Sequence, residues 1–75
     1  MSERLPRVTA AEMARALARL GFRIVRQSGS HRVYFNEGGT RVTLPYHARK
    51  TLHPKLVASI LRDAGISVEE LRQLL

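Results

Sequence analysis

The sequence predicts an α+β fold in the order α-β-β-β-α, with a three-stranded antiparallel sheet, helices on one sheet face and a short C-terminal helix. Three observations predict it. An apolar stripe at helical spacing ends at Gly21, alternating runs broken by glycine turns follow from Phe22 to Leu44, and a second helical stripe runs from Pro54 to Gly65. Residues 1–75 are expected to form a single domain.

Thr9-Ala10-Ala11-Glu12 reads as a capping box that starts the first helix, with Val8 and Met13 at the positions of a hydrophobic staple. Met13, Leu17 and Leu20 continue the stripe, and Gly21 stops it. Phe22 to Gln27 reads as a strand with Ile24 and Val25 as its β-branched pair, and Ser28-Gly29 supplies a turn. Ser30 to Asn36 alternates, so His31, Val33 and Phe35 share one face and Arg32 and Tyr34 the other. Arg41 to Leu44 is the return strand, and Pro45 ends regular pairing.

If Gly38-Gly39 forms a two-residue turn, Phe35 faces Val42 and Val33 faces Leu44. All four apolar side chains then share the packed face, and Arg32, Tyr34, Arg41 and Thr43 look outward. In this register His31 lies opposite Tyr46, at the rim of the packed face. Tyr46 to Leu52 is a basic loop. Pro54 fits the first turn of the next helix beside His53, and Val57, Ile60, Leu61 and Ala64 form its stripe. Ser67-Val68-Glu69-Glu70 is a second capping box, with Ile66 and Leu71 as its staple.

A chain of 75 residues without cysteine has a thin core and no disulfide, so packing and caps must hold it. Met1 to Arg7 is polar, and no run approaches the ~20 apolar residues of a membrane span. A cytoplasmic protein with no membrane partner is expected. Thirteen basic and six acidic residues give +7 and a pI near 11.4, and eleven of the thirteen are arginine. The segment from Phe22 to Lys55 carries seven basic residues and one acid, Glu37, and so holds +6 of that charge. Concentrated arginine points to nucleic acid, because its planar fork suits phosphate and stacks on bases.

The candidate chemistry lies inside this basic stretch. His31 follows Gly29-Ser30 where a turn becomes a strand, flanked by Arg26 and Arg32. The bland reading is a polar strand-start residue bonded to a local carbonyl. The functional reading is a proton carrier, since imidazole is the side chain that ordinarily titrates near neutral pH. RNA cleavage needs that service at the 2′-hydroxyl and at the leaving 5′-oxygen. Glycine beside it permits close backbone approach, and Ser30 adds a hydroxyl. His47 is expected at the same end of the hairpin, as a second proton carrier, a base contact or a plain loop residue. His53 is explained by helix start.

A zinc site lacks paired ligand spacing among His31, His47 and His53. Glu37 stands alone in the central segment, so no carboxylate pair suggests a magnesium-dependent nuclease, and Ser30-His31 has no oriented acid and no elbow motif. Metal-free acid–base chemistry without a cofactor remains. The outward face carrying Arg32, Tyr34 and Arg41 is expected to grip phosphates and stack bases.

The pattern Gly21-Phe22, Arg26-Gln27-Ser28-Gly29-Ser30-His31, Tyr34, Val42-Thr43-Leu44-Pro45-Tyr46-His47, then Ile60-Leu61-Arg62-Asp63-Ala64-Gly65-Ile66-Ser67 with Glu69-Glu70 resembles the HicA toxins of bacterial toxin–antitoxin pairs. It covers about residues 9 to 75. The resemblance implies a double-stranded-RNA-binding-domain-like fold, a small ribonuclease that cleaves messenger RNA, and a HicB-type antitoxin that holds it inactive by covering the active site. The family's catalytic histidine is the one in glycine-serine-histidine, the position of His31. Its Pro-x-His position is filled by Pro45-Tyr46-His47. Family members often carry Gly-Thr before the second long helix, where this chain has His53-Pro54-Lys55.

The expected function is therefore a metal-independent endoribonuclease. His31 is its acid or base, and Arg26, Arg32, Arg41, Arg49 and Lys50 hold phosphates, with Ser30, Tyr34 and His47 as further RNA contacts. A non-catalytic RNA-binding module is the alternative, and a basic face that only docks an acidic partner is a third reading.

Overall fold

A computed structural model describes residues 4–75. The sequence reading of the polar N-terminal segment therefore falls partly outside the described residues, at Met1, Ser2 and Glu3. The elements run α1 (Ala10–Arg19), β1 (Arg23–Ser28), β2 (His31–Phe35), β3 (Arg41–Pro45), α2 (Pro54–Ala64) and α3 (Val68–Leu74). The sheet is antiparallel with order β1-β2-β3. This is the expected α+β arrangement of the double-stranded-RNA-binding-domain type. Among the described residues no helix is long and apolar enough to cross a membrane.

The helices begin and end where local chemistry satisfies their orphan backbone groups. At α1 the Thr9 hydroxyl accepts from the Glu12 N–H at 3.2 Å, and the Glu12 carboxylate accepts from the Thr9 N–H at 2.9 Å. The helix closes with Gly21 N–H donating to Ala18 O and Phe22 N–H to Leu17 O, each at 3.0 Å, while Phe22 and Leu17 are both buried. His53 caps α2 by accepting the Lys55 N–H on Nδ1 at 3.0 Å, and Pro54 takes the first position, whose N–H would be unpaired anyway. The Ser67–Glu70 box caps α3 in the same reciprocal way.

The two hairpins set which face each side chain occupies. Between β1 and β2 the loop is Gly29-Ser30, closed by the pair Ser28–His31. Gly29 has φ +57° and Ser30 does not share a positive φ, the pattern of a type II′ turn with glycine first. A Cβ on Gly29 would meet no atom within 4 Å, so backbone conformation, not crowding within the protein, requires glycine here.

The β2–β3 hairpin differs from the sequence expectation. Asn36 N–H donates to Thr40 O, Thr40 N–H to Asn36 Oδ1, and Gly39 N–H to Asn36 O, with Gly39 at φ +83°. The loop is thus Glu37-Gly38-Gly39, three residues with a left-handed glycine last, rather than the two-residue Gly38-Gly39 turn. The extra residue slips the register by one. Phe35 pairs with Arg41, Tyr34 with Val42, Val33 with Thr43, Arg32 with Leu44 and His31 with Pro45. Because side chains alternate, this slip exchanges the faces of β2.

The core lies between the helices and the inner face of β2 and β3. Tyr34, Val42 and Leu44 are buried there with Val8, Met13, Leu17, Val57, Ile60 and Leu71. Burying a side chain such as Leu17 or Ile60 stabilises by about 1.5–3 kcal/mol. Both α1 and α2 pack on β3, whereas every residue of β1 is exposed. The loop after β3 folds back onto the start of α1: Ala10 N–H donates to Lys50 O, Ala11 N–H to Ala48 O, and Leu52 N–H to Val8 O.

Candidate nucleic-acid interface and catalytic histidine

The sheet face turned away from the helices is a three-by-three grid of cross-strand partners. One row is Arg23–Phe35–Arg41, the next Arg26–Val33–Thr43, and the last Ser28–His31–Pro45. The register shift at Val25 in β1 brings Arg26, two residues on from Ile24, opposite Val33. No acidic side chain belongs to the grid. Arg23, Arg26 and Arg41 are exposed and, like Arg49 and Lys50, have no carboxylate partner among the described residues. Cations left free in this way attract anions from solution.

His31 is exposed at the corner of the hairpin, the first residue of β2. It lies opposite Pro45 rather than Tyr46, and it faces solvent rather than the rim of the packed face. Tyr46 N–H instead donates to the carbonyl of Ser30, fixing the turn that carries the histidine. Among the described residues the imidazole has no hydrogen-bond partner, so both ring nitrogens are free to meet a ligand. Of the expected phosphate-binding arginines, Arg26 stands one row away on the same face. Arg41 stands two rows away.

Arg32 and Tyr34 are corrected by the register. Tyr34 is 3% exposed and is a core residue, not an outward base-stacking contact. Arg32 also points to the helix side, where its guanidinium lies 3.5 Å above the centre of the Tyr46 ring. Adjacent in sequence, Arg32 and His31 are on opposite faces of the sheet. Among the described residues, Arg32 Nε and Tyr34 Oη are buried without a hydrogen-bond partner. Both residues, with Tyr46, Ala14, Phe22 and Ile24, line a groove of about 470 Å³ between α1 and the sheet.

His47, Arg49 and Lys50 are exposed on the loop that is stitched to α1. His47 follows two residues after the Pro45 that pairs with His31, so the two histidines belong to the same end of the sheet. With Lys50 and His53, His47 borders a cavity of about 420 Å³ floored by Pro45 and Leu52. His53 has its Nδ1 engaged at the α2 cap. Among the described residues no three His, Asp or Glu side chains converge as a metal site.

Sequence reasoning missed Phe35, Val33 and Arg23 as outer-face residues, whereas Arg41 and Thr43 stand on that face as expected. The missed signal is Asn36, whose short amide side chain closes the wider loop, and the second glycine of the Gly-Gly pair, which suits the left-handed third position.

A small α+β module with its helices on one sheet face and an open, cationic other face belongs to the double-stranded-RNA-binding-domain-like class. Residues 10–66 match the profile of the HicA toxins of bacterial toxin–antitoxin systems, and the chain belongs to that family. It is accordingly the toxin of a toxin–antitoxin system and pairs with an antitoxin. A search of curated proteins returns no match.

Proposed function

We propose that this toxin is a metal-independent endoribonuclease of the cytoplasm that cleaves messenger RNA with His31 as its acid or base. The observation that carries the reading is an exposed imidazole on an open sheet face, with Arg26 in the adjacent row and no acid in the grid. A phosphate attracted to Arg26 brings a ribose to His31. There the imidazole either takes the proton of the 2′-hydroxyl, so that the 2′-oxygen attacks phosphorus, or returns a proton to the departing 5′-oxygen. The products are a 2′,3′-cyclic phosphate and a 5′-hydroxyl. Arg41 and the loop cations Arg49 and Lys50 extend the anionic track, and Ser30 and His47 contact RNA beside the scissile linkage. A HicB-type antitoxin blocks this face in the resting complex.

The lack of an orienting partner on His31 among the described residues favours a second reading, a module that binds RNA without cutting it. End-labelled RNA incubated with pure protein in EDTA separates the two. The proposal requires fragments ending in cyclic phosphate; binding without fragments supports the module.

A further inference from the structure

We infer that the open sheet face is a platform for single-stranded RNA on which Phe35 stacks a base away from the scissile linkage. This deepens the ribonuclease reading and rests on it for the position of the cleaved bond. Phe35 is half-buried, yet neither it nor Val33 is among the partly buried apolar side chains that pack on the core. An aromatic ring held at a sheet surface between two exposed arginines, Arg23 and Arg41, offers a flat apolar face with a cation on either side. A base fits the ring and the flanking phosphates fit the guanidinium groups, whereas an apolar protein partner would leave three arginines of the grid unpaired.

The geometry fixes the spacing. His31 and Phe35 are the ends of one strand, and at ~3.3 Å per residue their Cα atoms lie about 13 Å apart. Stacked nucleotides rise ~3.4 Å each and a splayed strand spans about twice that per nucleotide, so the stacked base is about two to four nucleotides from the bond at His31. A duplex cannot use this surface. Its bases are stacked and paired inside the helix, out of reach of Phe35, and A-form sugar geometry holds the 2′-oxygen out of line with the leaving oxygen. The fold type associated with duplex binding is thus turned to single strands by its open face.

Affinity for a fluorescent single-stranded RNA octamer and its duplex, and cleavage of the octamer and of a dinucleoside monophosphate, test this directly. Phe35→Ala should weaken octamer binding between about five- and a hundredfold and leave dinucleotide cleavage unchanged, because that substrate does not reach the ring. Phe35→Tyr should restore binding. Phe35→Leu, which keeps apolar bulk without a ring, should behave as alanine and serves if the alanine variant does not fold. Wild-type octamer affinity in folded Phe35→Leu, or a duplex bound as tightly as the single strand, overturns the platform. So does loss of antitoxin binding alone with RNA affinity intact. If the wild type binds octamer through Phe35 but cuts nothing, the ribonuclease reading fails and the platform stands.

Discussion

Tyr34 faces Val42 across the β2–β3 ladder, and the two side chains are 3% and 0% exposed. This pairing commits Tyr34 to the core and, by alternation, sends His31, Val33 and Phe35 to the opposite face. Tyr34→Ala should therefore cost about 3–5 kcal/mol, as truncation of a buried aromatic does. Tyr34→Phe removes a buried hydroxyl that has no hydrogen-bond partner among the described residues and should raise stability by about 1 kcal/mol. Urea unfolding measures both. Undiminished RNA cleavage by Tyr34→Phe would agree with a core role; a large loss of cleavage with unchanged stability would contradict it.

The three-residue loop that sets this register depends on Asn36 and Gly39. Asn36→Ala frees the Thr40 N–H and should cost about 0.5–1.5 kcal/mol, while Gly39→Ala forces an L-residue to φ +83° and should cost about 1–2 kcal/mol. Thermal unfolding of the two variants checks this. If Gly39→Ala is as stable as the wild type, the left-handed turn is not what holds the register.

Glu12 gives the stability a pH dependence. Its hydrogen bonds from the Thr9 backbone and side chain, with Arg15 nearby, hold its carboxyl below the ordinary value of 4.5. A carboxylate depressed in the folded state stabilises above its unfolded pKa, and the contribution is lost as pH falls through the folded value. Glu12→Gln retains a carbonyl for the capping box without the titrating charge. The melting temperatures of wild type and variant should differ at neutral pH and draw together on acidification below about 4.5. A gap that widens on acidification would reverse the assigned sign.

The two arginines beside His31 in sequence should separate by face. Arg26→Ala should reduce the slope of log affinity against log salt for single-stranded RNA by about 0.7, the loss of one phosphate contact. Arg32→Ala should leave the slope unchanged and instead lower stability by about 0.5–2 kcal/mol through loss of the stack on Tyr46. Equal slopes lost at both positions would mean that RNA is gripped from the helix side as well.

Local chemistry was legible in the residues. The Thr9–Glu12 and Ser67–Glu70 boxes, the Gly21 and Gly65 stops and the Pro54 start all stand where the sequence puts them, because each depends on neighbours within four residues. The position of His31 at a strand start was legible too. The face assignment of β2 was not, because it turns on whether the Gly38-Gly39 loop holds two residues or three, and the apolar pattern of Val33 and Phe35 argued for the wrong count. Those two side chains match a core stripe in composition, but the face they occupy has no helix to cover it.

The most direct test is the single substitution His31→Ala, assayed for cleavage of labelled RNA, RNA affinity and fold by circular dichroism. Loss of cleavage with affinity and fold retained is the predicted result. An unchanged cleavage rate would remove the imidazole from the chemistry and contradict the account.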